Sequence, residues 1–227
     1  MRLTSRFALT AIALSAGFLA HVSAHAVALT SPISPAPFAD TVLAGTTAAA
    51  RPELAGVVLE DAMQAFNFQG VTGTVQNRVV REASGTLDFY WKVNVDSSAT
   101  GTGIAAFRLT DFGLSNITDA DWRVDGLGTV AASTARLFNG ASYPTGSINF
   151  LFGDGIRAGQ SSTFFFLHTD ATAYAKTAQF DLLDVGPQNL SPAYSTFAPA
   201  VPEPSSYAMM FAGLAVAGLA MRRRQGQ

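Results

Sequence analysis

The sequence predicts an all-β fold, an antiparallel β-sandwich or jelly roll, flanked by a signal peptide and a single C-terminal transmembrane helix. Three observations lead there. Leu87, Phe89, Trp91, Val93 and Val95 alternate with Asp88, Tyr90, Lys92 and Asn94, a period of two that belongs to a strand with one face in a core. Turn signals recur at Gly70, Gly73, Ser84-Gly85, Thr100 to Gly103, Asp125-Gly126, Asn139-Gly140 and Asp154-Gly155. Their spacing of about 8–12 residues, between β-branched and aromatic runs, is that of sandwiches and barrels. Finally, an uncharged apolar run stands near each end of the chain.

The first of these runs belongs to residues 1–26. Arg2 and Arg6 form a positive start, residues 7–20 (FALTAIALSAGFLA) an apolar stretch, and Ala24-His25-Ala26 a small-x-small cleavage site at Ala24 and Ala26. The run is closer to signal-peptide length than to the roughly 20 residues of a spanning helix. Signal peptidase is the expected processing enzyme, leaving a mature start near Val27.

Proline marks the next boundaries. Of ten prolines, Pro32, Pro35, Pro37 and Pro52 precede the expected core, five follow from Pro187 to Pro204, and Pro144 alone lies between. Residues 27–52 therefore read as an Ala/Pro/Thr lead-in, residues 53–185 as the sandwich, and residues 186–200 as an extended stalk. Within the sandwich the strongest strand is 87–95, followed by 104–112, 147–152 and 161–168. Segments 57–68, 71–80, 129–138 and 180–184 are weaker candidates. A short helical turn is the alternative at 59–66 and after Thr118, where Thr118 and Asp121 have capping-box spacing. Phe164, Phe165 and Phe166 cannot all face one side of a strand, so at least one ring must meet a second layer, a loop or a partner.

Composition narrows the function classes. Of 227 residues 48% are hydrophobic and 13% charged, against about 25% charged in a typical soluble domain. The net charge of −2 conceals an asymmetry. Residues 27–200 hold nine Lys and Arg against 15 Asp and Glu, a net of −6. An acidic domain without a basic patch does not suit nucleic acid. There is no cysteine, which removes thiol catalysis, thiolate metal sites and an acylated cysteine anchor. Two of the three histidines, His21 and His25, leave with the signal peptide, so a Ser-His-Asp triad would depend on His168. No G-x-S-x-G elbow is present. His168 reads as an ordinary strand-end histidine. The expectation is that the exported domain is not an enzyme and has no cofactor.

Two weaker sites remain. Asp119, Asp121 and Asp125 form the densest acidic stretch and are the candidate Ca²⁺ ligands, although the spacing departs from the EF-hand loop. The competing reading is a solvated acidic loop with Trp122 tucked into the core. Tyr90, on the strand face opposite Trp91, is the candidate sugar-contacting aromatic. A second function class is thus a carbohydrate- or Ca²⁺-binding module, and a third is a hydrolase built on a carboxylate pair.

The C-terminal end is the most specific part of the sequence. Residues 204–221 form 18 uncharged positions, bracketed by Glu203 and Arg222. That length can just cross a bilayer as a helix. Arg222, Arg223 and Arg224 fix its orientation by the positive-inside rule, with the domain outside. Pro202 and Pro204 stop the helix from running back into the domain. The order Pro202, Glu203, Pro204, apolar helix, arginine cluster resembles the PEP-CTERM sorting signal over residues 201–227. The resemblance implies processing by an exosortase, a membrane-embedded transpeptidase-like enzyme of Gram-negative bacteria that also make exopolysaccharide. It implies export across the inner membrane, a transient anchor there, and a final place at the outer surface or outside the cell. On this resemblance the leading function is a non-enzymatic surface or matrix protein, associated with exopolysaccharide and biofilm.

Overall fold

The computed structural model describes residues 27–140 and 143–200. The expected signal peptide, with Ala24 and Ala26, lies outside the described residues. So does the tail, with Pro202, Glu203, Pro204, Arg222, Arg223 and Arg224. No helix among the described residues is long and apolar enough to cross a membrane.

Alternation along the chain becomes strands wherever glycine-containing turns reverse it. The strands are β1 (Phe38–Val42), β2 (Val57–Phe68), β3 (Val71–Arg81), β4 (Leu87–Val95), β5 (Ile104–Thr110), β6 (Ile117–Trp122), β7 (Thr134–Gly140), β8 (Tyr143–Ile156), β9 (Phe165–Thr169), β10 (Tyr174–Asp184) and β11 (Tyr194–Pro199). They form two antiparallel sheets. One has six strands in the order β1-β7-β8-β5-β10-β11, the other five in the order β2-β3-β4-β9-β6. The predicted strand 87–95 is β4 residue for residue. The helical turns considered at 59–66 and after Thr118 do not form: both segments are strand, in β2 and β6. In β2 the reason is the two-residue turn at Gln69 and Gly70, both at positive φ (49° and 75°). It folds β3 back onto β2 with Phe68 opposite Val71.

One apolar core lies between the sheets. Trp91 of β4 and Phe165 of β9 meet Phe107 of β5 and Phe150 of β8, with ring centroids 4.7–6.4 Å apart. Phe166 points the other way. With Leu54, Val80 and Tyr90 it forms a smaller cluster on the outer face of the five-stranded sheet, against which Phe164 packs. The Phe triplet is thus split between two layers, as strand geometry demands.

Two boundaries differ from the expectation. The lead-in carries β1, which pairs with β7 at one edge of the six-stranded sheet. The stalk carries β11, which pairs with β10 at the other edge. Both are edge strands, where proline is tolerated because one side of the strand needs no ladder donors. Pro199 closes β11 and Pro37 immediately precedes β1, so the proline-containing flanks border sheet edges here. After β1 the chain crosses to the other sheet. Thr46 N–H donates to the Trp122 carbonyl and Val124 N–H to the Thr46 carbonyl. Residues 51–56 then lie over the outer face of the five-stranded sheet, where Leu54 is 3% exposed.

Candidate functional site

The outer face of the five-stranded sheet carries two neighbouring features, a buried ionisable cluster and an open groove. The cluster follows from alternation in three adjacent strands. Phe89, Leu167 and Ala120 face the core, so Asp88, His168 and Asp119 face outward. Register places Asp88 opposite His168 and His168 opposite Asp119. Glu82 joins them from the β3–β4 turn. That turn is closed by Glu82 N–H to the Thr86 carbonyl and Gly85 N–H to the Glu82 carbonyl.

His168 Nδ1 lies 2.6 Å from Asp88 Oδ1 and 3.0 Å from Glu82 Oε1. One nitrogen holds one proton, and the shorter contact takes it. Glu82 Oε1 is accordingly buried without a hydrogen-bond partner. The other oxygen of each carboxylate is occupied. Glu82 Oε2 accepts from Thr86 Oγ1 at 3.0 Å and Ser84 Oγ at 3.2 Å. Asp88 Oδ2 accepts from the Tyr90 hydroxyl at 3.3 Å. Asp88 is fully buried and Glu82 is 5% exposed. Burial pushes the Asp88 carboxyl up to about 6, against the opposing pull of His168. Burial also opposes charge on His168, but Asp88, Asp119 and Glu82 outweigh it and raise the imidazole above its ordinary value. His168 is therefore more than the ordinary strand-end residue expected. Asp88 and Glu82 were not singled out by sequence reasoning. Alternation put Asp88 on the polar face, but which residues of distant segments it would meet has no local signal.

The expected acidic trio is dispersed. Arg51 grips both oxygens of Asp119, at 2.7 and 3.1 Å, and also bonds Glu53. Asp121 Oδ1 accepts from the backbone N–H of Gly45 and Trp122. Asp125 pairs with Arg123 and caps Ala48 N–H. Among the described residues, the group of His, Asp and Glu ligand atoms that converges, all within 4.8 Å, is Glu82, Asp88 and His168. Trp122 is half-buried and packs on the core.

Tyr90 is not the exposed aromatic expected. It is 3% exposed, with its ring 5.0 Å from Phe166 and 6.2 Å from Phe164. The segment through Leu54 roofs this part of the sheet, which a two-periodic strand pattern cannot reveal. The groove opens beside it, about 510 Å³ in volume, with Arg78, Lys92, Arg123, Phe164 and Leu127 among its lining. The Arg78 guanidinium stands 4.7 Å from the Phe164 ring centroid and the Lys92 ammonium 5.9 Å. Arg78 is paired with Asp61 and Arg123 with Asp125.

No curated protein and no solved structure matches the chain. A family model does match its C-terminal end. Residues 200–224 fit the PEP-CTERM protein-sorting motif, so this chain carries the sorting signal of an exported protein that an exosortase processes.

Proposed function

We propose that this two-sheet β-sandwich is a non-enzymatic surface or matrix protein working among exopolysaccharide, and that it contacts acidic polysaccharide through the groove beside Phe164. The observation that supports this is the grouping of Arg78, Lys92 and Arg123 around an aromatic ring in an open groove. A domain with nine basic and 15 acidic groups has nonetheless gathered three of its cations on one face. A polymer carboxylate can pair with Lys92, which unlike Arg78 and Arg123 has no carboxylate partner among the described residues, while a sugar ring packs on Phe164. The sorting tail supplies the setting, since exosortase processing delivers the domain outside the inner membrane, where such polymers lie. The final location at the outer surface or in the matrix belongs to the same proposal.

The test is titration of the purified protein with an acidic polysaccharide, alginate, and a neutral one, dextran. Micromolar binding of alginate that weakens with added salt and is abolished by Lys92→Glu supports the reading. Lys92 makes no ion pair among the described residues and packs near the Phe164 ring, and near-ultraviolet circular dichroism checks that Lys92→Glu is folded. Binding indifferent to both salt and Lys92→Glu, or no binding at all, rejects it. Turnover of either polymer would favour the hydrolase class instead.

A further inference from the structure

The geometry points to a divalent transition-metal site formed by Glu82 Oε1, Asp88 Oδ1 and His168 Nδ1, distinct from the groove. The three ligand atoms converge within 4.8 Å. Their second atoms are tied elsewhere: Ser84 and Thr86 hold Glu82 Oε2, and Tyr90 holds Asp88 Oδ2. Outer contacts of this kind orient ligands toward a metal. They leave the other oxygen of each carboxylate turned toward the same imidazole nitrogen, Asp88 Oδ1 in a hydrogen bond with it and Glu82 Oε1 without one.

Two observations separate this cluster from an ordinary acidic patch. Glu82 Oε1 is buried and without a hydrogen-bond partner, on a side chain 3% exposed. A buried carboxylate oxygen in that position destabilises the fold unless something satisfies it. Second, Glu82 and Asp88 bring two negative charges to one point, and a single proton on His168 balances only one. A dication balances both. The Arg51 cation does not serve, because Asp119 and Glu53 already occupy it.

The donor set selects the ion. Ca²⁺ takes about six to eight oxygen ligands, whereas one imidazole with two carboxylates suits Zn²⁺, Mn²⁺ or Fe²⁺. In a tetrahedral zinc site with bonds of about 2.0–2.1 Å, ligand atoms lie roughly 3.3 Å apart. The contacts of 2.6 and 3.0 Å would open by about 0.7 and 0.3 Å to reach that spacing. Three protein ligands leave a fourth position for water, reached from the His168 side, whose side chain is 19% exposed. The ion would tie the β3–β4 turn to β9.

The test uses the full chain, purified in detergent and stripped with a chelator, then titrated with ZnCl₂, MnCl₂, CoCl₂ and CaCl₂. Expected are about one Zn²⁺ bound per chain, a raised melting temperature, and a visible Co²⁺ spectrum of imidazole and carboxylate coordination. His168→Ala and Glu82→Gln should each weaken binding at least about 100-fold, and Thr86→Val by about 10–100-fold through its hold on Glu82. Asp125→Asn should leave binding unchanged. Near-ultraviolet circular dichroism checks that each variant is folded, and the Co²⁺ spectrum of the wild type needs no variant. Folded wild type that takes up none of the transition ions overturns the proposal. So does binding that survives His168→Ala, or binding of Ca²⁺ alone.

Discussion

Thr196 offers the sharpest test of how the two sheets are held. It sits on β11, the strand in the expected stalk, and is fully buried. Its hydroxyl accepts from Trp91 Nε1 at 2.9 Å and donates to Asn77 Oδ1 at 2.9 Å. Trp91 and Asn77 belong to the opposite sheet and are 1% and 3% exposed. Thr196→Val keeps the side-chain volume, so no cavity forms and only the hydrogen bonds are lost. Two buried groups are orphaned, the indole N–H and the amide oxygen, at about 1–3 kcal/mol each. The new methyl returns about 0.8 kcal/mol by burial. The net loss is about 1–5 kcal/mol, centred near 3, or roughly 2–20 °C in melting temperature for a domain of this size. Thr196→Ser keeps the hydroxyl and removes one methyl, a loss of about 1 kcal/mol. The more polar variant should thus be the more stable one, the reverse of what apolar burial alone dictates. Urea unfolding followed by fluorescence of Trp91 and Trp122, the chain's two tryptophans, measures both variants. Thr196→Val as stable as the wild type, or more stable than Thr196→Ser, would refute the reasoning.

Further predictions follow from the same contacts. Arg51→Met strands the buried carboxylate of Asp119 and should destabilise by about 3–5 kcal/mol, while the double variant Arg51→Met with Asp119→Leu should recover most of it; urea midpoints decide. Hydrogen bonding to their arginines lowers the carboxyls of Asp40 and Asp125, and Arg78 with Gln76 lowers Asp61 against burial. Folded-state values below the unfolded ones mean that their stabilisation is complete above about pH 4 and is lost as pH falls through the depressed values. Melting temperatures between pH 6 and pH 2 should therefore fall less steeply in a variant carrying Asp40→Asn, Asp61→Asn and Asp125→Asn, and an identical slope would contradict this. Intact-mass analysis of the protein from its producing cells should show loss of the tail near Pro204, and retention of the tail in exosortase-deficient cells. A tail retained in both would refute sorting by that enzyme.

Much of the strand pattern was legible because it is local. A strand puts successive side chains on opposite faces, so Leu87 to Val95 announced both itself and its core face, and Phe164 to Phe166 announced that one ring must meet a second layer, a loop or a partner. Edge strands were not legible. β1 and β11 are short, each pairs on one side only, and they lie among prolines that read as linkers. The candidate site was legible only in pieces. His168 stood out by scarcity, and alternation put Asp88 on the polar face without marking it as a site residue, while Glu82 lies in a turn with no distinguishing neighbour in sequence. Tyr90 was placed on the correct face and given the wrong environment, because the segment that buries it begins about 40 residues earlier, at Arg51.

By itself the sequence determined the alternating strands, the absence of thiol chemistry and the sorting tail of residues 200–224. Each depends on residue identity or on spacing of a few positions. The tertiary structure alone decided which polar groups meet. Arg51 grips Asp119 across 68 positions, His168 bonds Asp88 across 80, and Trp91 reaches Thr196 across 105. Such pairs are fixed by strand register and by which segment covers which face. Those are outcomes of burying one shared core, and no local pattern encodes them.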